Sequence, residues 1–513
     1  MSRRSQSGGY CALSGDSRDE PLATHDERTV RSPAAIAPPR AWIRTHSGRA
    51  AAHAGLLGSA ALVALSVLLR LPYVDTPLTA DEGGYAEIAR LWSHGRSLYG
   101  SVWVDRPQGL IVVFRGALAA GLTSTVALRG VAIGAAALVA LAVVRVGLES
   151  GSRRFAITCG VLAVSAGASP FSEGFTLSAE LLASMFATAA IALLLQFERT
   201  ASLPVLATAG LVAGSALVVK QSAFDAVAGI AAYLILTRRK AAVGRLSVFL
   251  AAAAAPLAVA FARSGDPGGW AQAVIGYGAH ASFGGRSMAG IGSQFVSSLP
   301  AAAKTLGPLC PLAAIGWKRS PLLLRCWLLA AIAGVCVGGS FHAHYYLQAV
   351  APLAIVAACG AQRLGNWSTV AAAGVVLAFA VPYWSASDQQ QAAAFWPHDP
   401  HLRTDSAVAN YVRLHTLPSQ PVYVMWAAAD IYYLANRAPT YRYLWLRNLE
   451  TIRGAVAGVD RMLASRAPAL VVEAQLPSVG DPSGRTGALL AQDYRQVADV
   501  DGVRIWRPRG RPS

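Results

Sequence analysis

Asp81 and Glu82 lie in Thr79-Ala80-Asp81-Glu82-Gly83-Gly84-Tyr85, ahead of Tyr99, Trp103 and Asp105-Arg106-Pro107-Gln108. A carboxylate in such a polar, aromatic stretch can take a proton from an attacking hydroxyl as a general base. The same residues also read as a helix start, with Thr79 as N-cap and Glu82 three residues on completing a capping box. The two readings coexist, because the box engages Glu82 and leaves Asp81 free. On this reading Gln at position 82 is a mild change, since Gln also completes a capping box. An acid at a helix N-terminus can equally act only through the helix dipole.

Three further groups of polar residues interrupt apolar sequence. Glu173 and Glu180 flank Gly174-Phe175-Thr176-Leu177-Ser178-Ala179; Lys220-Gln221 separates two apolar runs; and Phe341-His342-Ala343-His344-Tyr345-Tyr346-Leu347-Gln348 precedes another. Ionisable groups near hydrocarbon are costly and usually face a bundle interior or a wet cavity. For Lys220 the competing reading is a side chain snorkelling to the interface. His342 with His344, and His398 with His401, have the composition of metal ligands. Neither pair sits in a motif with a confirming carboxylate, so no metal is expected.

The elements that must hold these residues are membrane helices. The 513 residues are 54% hydrophobic and only 14% charged, against about 25% charged in a soluble domain. Apolar runs fall near 54–72, 128–146, 155–169, 178–197, 203–220, 222–237, 246–262, 300–317, 321–340, 345–361 and 368–384. With about 20 residues needed to cross a bilayer, they predict about eleven transmembrane helices. The net charge of +17 does not signal nucleic acid, because the cations sit in alternate links: Arg145, Arg153 and Arg154; Arg199; Arg238, Arg239, Lys240 and Arg245; Lys318 and Arg319; Arg363. That is the positive-inside pattern. It places the N-terminus in the cytoplasm of a multi-pass plasma-membrane protein, and the intervening loops and the C-terminus outside. The apolar stretch 108–122, interrupted by Arg115, is expected to lie in the outer interface. None of the six cysteines falls in a long polar loop, so no disulfide framework is implied.

Residues 1–53 read as a disordered basic tail, 54–384 as the membrane domain with a long first outer loop at 73–127, and 385–513 as a small extracytoplasmic α/β domain. Within the last, 421–426 and 469–473 are predicted strands, a helix runs through Tyr432 and Tyr433, and 495–506 is a hairpin turning at Asp501-Gly502.

Taken in order, Asp81-Glu82, Asp105-Arg106-Pro107, Glu180 and His344-Tyr345-Tyr346-Leu347-Gln348 resemble the membrane glycosyltransferases of the GT-C class. The nearest branch is that of protein O-mannosyltransferases and the lipid A aminoarabinose transferase. The resemblance covers roughly residues 54–384 and is specific to the superfamily. It departs at Arg106-Pro107-Gln108, where relatives usually read Lys-Pro-Pro; a cation is kept, as a planar fork in place of a point charge. The resemblance implies an inverting transfer of a sugar from a polyprenyl-phosphate donor. No cofactor is expected, the lipid-linked sugar being a substrate, and nothing in the sequence indicates a divalent cation. The sugar (mannose, arabinose or another hexose or pentose) and the acceptor (protein, lipid or cell-envelope glycan) stay open. Asp81, with Glu82, would be catalytic. Arg106, Lys220, Tyr345 and Tyr346 would hold the donor phosphate, while Glu180, Glu173, Asp105, His344 and Gln348 would position substrate. Membrane lipids are expected partners and nucleic acid is not.

The competing class is a transporter or lipid-linked sugar flippase. Transporters commonly show repeated halves and broken helices with polar groups at midplane; here the charges gather at one membrane face. A non-catalytic subunit on the same fold is a third reading, since fold does not fix function.

Overall fold

In the computed structural model the described residues are 49–237, 242–283 and 287–510. Most of the tail expected over 1–53, with Cys11 and the basic residues Arg238, Arg239 and Lys240, lies outside them. The first described helix, Arg49–Leu68, already begins inside the span assigned to the tail.

The protein is an α-helical polytopic membrane protein with a small sheet. Among the described residues six helical segments are long and apolar enough to cross a bilayer: Leu56–Tyr73, Thr125–Ser150, Ala179–Thr200, Ala242–Ala262, Ala343–Leu364 and Asn366–Tyr383. Shorter helices, Arg153–Gly167, Leu203–Val219, Asp225–Thr237 and Leu322–Val337, occupy four more of the expected spans. The span expected at 300–317 is broken. Helix Met288–Thr305 gives way to a 3-10 turn, Gly307–Leu309, and then to Cys310–Gly316. Pro308 and Pro311 lack the amide hydrogens that a continuous helix would need there. The outer loop expected at 263–299 is also largely helical, through Pro267–Ala271, Tyr277–Phe283 and Met288–Thr305.

Small residues bring the helices together. Leu203–Val219 runs so close to Ala242–Ala262 that a Cβ on Gly214 would lie 2.0 Å from the carbonyl oxygen of Ala253. Such small-residue contacts replace the hydrophobic drive that lipid cannot supply.

The region 73–127 folds into two helices. Ala80–Ser93 carries the Asp81-Glu82 pair, and Gly109–Ala119 is the short apolar helix expected at the interface. The four strands, β1 (Tyr423–Val424), β2 (Val471–Glu473), β3 (Tyr494–Val500) and β4 (Val503–Pro508), form one sheet in the order β1-β2-β4-β3. β1 pairs parallel to β2 in the register Tyr423↔Val471, and β3 and β4 form an antiparallel hairpin. Asp501 and Gly502 both have positive φ, 51° and 87°, as a two-residue hairpin turn that follows the strand twist requires. Among the described residues the strand-bearing segment packs with the helices into one compact unit.

Candidate active site

The start of helix Ala80–Ser93 separates the two carboxylates. Thr79 Oγ1 accepts the Glu82 amide (3.1 Å), and Glu82 Oε2 accepts the Thr79 amide (3.4 Å), so the capping box is complete. Glu82 has more to hold. Its Oε1 accepts the Leu177 amide at 2.8 Å, and its Oε2 pairs with Arg129 Nη2 at 2.8 Å. Both partners of that ion pair are essentially sealed from solvent, at 2% and 0% exposure. Every contact ties Glu82 to protein, which makes it a positioning residue in this geometry.

Asp81 lines a cleft with Tyr85, Arg106, Glu173, Glu180 and His344. Burial pushes its carboxyl above the ordinary range, and the charges of Arg106 and then His344 pull it back down. Arg106 lies 4.7 Å over the Tyr85 ring, and its Nε donates to Asp105 Oδ1 at 3.1 Å. Its loop is fixed from behind. The Tyr99 hydroxyl donates to the Arg106 carbonyl (3.0 Å), while Gln108 Oε1 accepts Trp270 Nε1 (2.9 Å) and Gln108 Nε2 donates to the Ala260 carbonyl. Gln108, where the resemblance expects Pro, is therefore a buried brace between the loop and two later elements.

On the opposite wall, Glu180 is the second residue of helix Ala179–Thr200 and takes an ion pair from Lys220. Lys220 follows the end of helix Leu203–Val219, and its ammonium sits 3.5 Å from the centroid of the Tyr345 ring. His344 Nδ1 lies 3.2 Å from Glu173 Oε1, and its Nε2 lies 3.8 Å from Glu180 Oε1. Glu173 adopts φ 56° at the end of the turn Pro170–Ser172. Arg70 anchors that turn, donating to the carbonyls of Gly174 (2.7 Å) and Gly167 (2.6 Å).

Four carboxylates line the cleft, Asp81, Glu82, Glu173 and Glu180, and Asp105 stands beside Arg106, but their situations are unequal. Glu82 pairs with Arg129. Asp105 pairs with Arg106, Glu180 with Lys220 and Glu173 with His344. Among the described residues Asp81 has neither an ion pair nor a hydrogen bond from its side chain. It is the acid left free to accept a proton.

Two residues expected at the site lie elsewhere. Gln348 Nε2 donates to Asp225 Oδ1 (2.7 Å), whose Oδ2 accepts Trp327 Nε1 (2.6 Å), in a network inside the helix bundle. The Tyr346 hydroxyl bonds Ser298 Oγ at 2.7 Å and its ring packs with Val335 and Phe341. Tyr346 follows Tyr345 by one position and so points to a different side, whereas Gln348, a helical turn beyond His344, is drawn into the hydrogen-bond network of Asp225. Tyr85, Arg70 and Arg129 were not anticipated. Tyr85 sits one turn beyond Asp81 on the same helix face, the i, i+4 relation that could have flagged it. Among the described residues the group with metal-ligand spacing is His401, Asp405 and Asp430, outside this cleft.

No family model matches the chain, and no curated protein matches it in sequence. Solved structures do match its fold. ArnT from Cupriavidus metallidurans bound to undecaprenyl phosphate superposes with a TM-score of 0.64 at 14% identity, over 89% of this chain and 98% of that one. The archaeal oligosaccharyltransferase AglB from Archaeoglobus fulgidus, in complex with an inhibitory peptide and a dolichol-phosphate, gives a TM-score of 0.55 at 13% identity, over 83% and 70%. An Archaeoglobus fulgidus oligosaccharyltransferase tethered with an acceptor peptide gives 0.54 at 13% identity, over 86% and 72%. The chain has the fold of these GT-C membrane proteins.

Proposed function

We propose that this protein is an inverting glycosyltransferase that moves a sugar from a polyprenyl-phosphate donor to an acceptor hydroxyl on the outer side of the plasma membrane. The observation that carries this reading is the lone carboxylate of Asp81 in a cleft whose other acids are each matched to a cation. Both structures that share the fold with a bound polyprenyl-type phosphate, undecaprenyl phosphate in one and dolichol-phosphate in the other, support the donor class.

In the proposed reaction Asp81 accepts the proton of the acceptor hydroxyl as its oxygen attacks the anomeric carbon. The bond from that carbon to the phosphate oxygen breaks on the opposite face, and its electron pair stays on the phosphate. The phosphate group gains one negative charge. Arg106 and Lys220 supply charge-assisted hydrogen bonds to it, a demand that grows as the bond breaks, so they favour the transition state over the ground state. No general acid is needed, because the leaving group is already an anion. Asp105 and Glu180 hold the cations Arg106 and Lys220, Glu173 pairs with His344 beside them, and Tyr85 and Tyr345 provide aromatic faces under Arg106 and Lys220.

The test is a panel of labelled polyprenyl-phosphate sugars, hexoses and pentoses among them, incubated with membranes containing the protein. One donor should release polyprenyl phosphate and pass its label to a membrane or envelope acceptor, and Asp81→Asn membranes should not do so. Failure of every donor, or transfer undiminished in Asp81→Asn, would refute the assignment.

A further inference from the structure

His401, Asp405 and Asp430 come together from three elements: the 3-10 turn Pro400–Arg403 and the first residues of helices Asp405–Leu414 and Asp430–Ala435. One ligand-type atom from each lies within 4.8 Å of the other two. Asp405 is 2% exposed and Asp430 is 0% exposed. Asp405 Oδ2 meets His401 Nδ1 at 2.7 Å. Asp405 Oδ1 and both oxygens of Asp430 are buried without a hydrogen-bond partner.

Leaving three carboxylate oxygens unpartnered in a sealed site is costly, and a bound ion is one of the arrangements that satisfies such groups. The charge balance says which sign is wanted. Two buried carboxylates beside a protonated His401 leave an excess negative charge; beside a neutral imidazole, a dication brings the group to zero. The imidazole is oriented for that role. Its Nδ1 faces Asp405, and its Nε2 looks outward toward Asp399 Oδ1 at 3.7 Å. A carboxylate on the far nitrogen is the arrangement that fixes the tautomer of a metal-binding histidine.

We infer that His401, Asp405 and Asp430 form a binding site for one divalent transition-metal ion, with His401 ligating through Nδ1. One imidazole with two carboxylates suits Zn²⁺ or Mn²⁺. Ligand bonds of about 2.0–2.2 Å put ligand atoms roughly 3–4 Å apart, so on binding the longer separations, up to 4.8 Å, close while the 2.7 Å contact between His401 Nδ1 and Asp405 Oδ2 opens. The site is structural and lies beneath the helix that carries Asp81: a Cβ on Gly83 would come 2.3 Å from the Cα of Asp430. The ion therefore holds the Asp430–Ala435 helix firm as a support for helix Ala80–Ser93. Nothing in this inference depends on which reaction the cleft performs.

The readouts are metal content and thermal unfolding of the purified full-length protein in detergent micelles. Wild type, expressed with Zn²⁺ and Mn²⁺ supplied, should retain about one equivalent of one of them. Stripping with EDTA should lower its Tm by several degrees, and re-adding that metal should restore it. Asp430→Asn and His401→Gln should hold no stoichiometric metal and show a Tm indifferent to EDTA, while Asp81→Asn, in the separate cleft, should retain the metal. If Asp430→Asn does not fold, the stripping and re-addition on wild type decide alone. A wild type that carries no stoichiometric metal and whose Tm neither EDTA nor added Zn²⁺ or Mn²⁺ moves would overturn the site, and a shared proton between Asp405 and Asp430 would replace it. Equal metal retention by Asp430→Asn and His401→Gln would overturn it too.

Discussion

Glu82→Gln tests the charge pairing at the start of helix Ala80–Ser93. Gln keeps a single oxygen, enough for the Leu177 amide or for the Thr79 amide of the capping box but not for both, because different oxygens of Glu82 accept the two. It cannot neutralise Arg129, which is fully buried and pairs with Glu82 at 2.8 Å. Two further guanidinium nitrogens of Arg129, Nε and Nη1, already lack hydrogen-bond partners. Removing one partner of a sealed ion pair costs about 3–5 kcal/mol, since the remaining charge stays buried. A lost neutral hydrogen bond costs only about 1 kcal/mol. The buried ion pair thus predicts that Gln is costly here, against the mild effect expected from capping alone. Thermal unfolding in detergent should register a Tm several degrees below wild type. Adding Arg129→Met removes the stranded charge, so the double variant should recover part of the loss. Asp81→Asn should show the converse pattern: Tm close to wild type, and transfer down by about 100-fold or more, the range for losing a general base. The reasoning fails if Glu82→Gln costs no more than a neutral hydrogen bond, or if the double variant is less stable than Glu82→Gln alone. An active Asp81→Asn beside a folded but inactive Glu82→Gln would reverse the two roles.

Arg106→Ala should weaken donor use by roughly 10- to 100-fold, the worth of a lost charged hydrogen bond, and Arg106→Lys should restore part of it; donor titration of the transfer rate checks both. Burial raises the Asp81 carboxyl above the ordinary aspartate value, and a base works only when ionised. The rate kcat/KM should therefore fall with acid along a limb centred above about 3.9, and residual activity of Asp81→Asn should lack that limb. A limb unchanged in Asp81→Asn would assign it to another group. In a cysteine-free background, Lys318→Cys should be shielded from an impermeant thiol reagent in intact cells and Gln492→Cys, on exposed helix surface, should react; the opposite pattern would invert the membrane orientation.

The parts of this protein that its sequence discloses are those whose causes are local. Thr79 and Glu82 are three residues apart, Asp501 and Gly502 are adjacent, and the apolar runs are continuous, so the capping box, the hairpin and most spans can be read by counting. The broken span at 300–317 is legible in hindsight for the same reason, because Gly307-Pro308 and Pro311 interrupt it. What stays hidden is pairing across distance. Arg129 reaches Glu82 over 47 residues and Arg70 reaches Gly174 over 104. In the sequence both arginines read as charges near the ends of apolar runs, where snorkelling to water is the ordinary fate. His401 shows the limit more sharply. Asp405 is its helical neighbour four residues on, but the third acid, Asp430, arrives only once the β1 strand has turned the chain back against helix Ala80–Ser93. The free state of Asp81 is the same kind of fact in reverse. It follows from three other acids, each from a different element, having found a cation. No count along the chain can report it, and so a base candidate becomes distinguishable from its neighbour only when the fold has allocated every other charge.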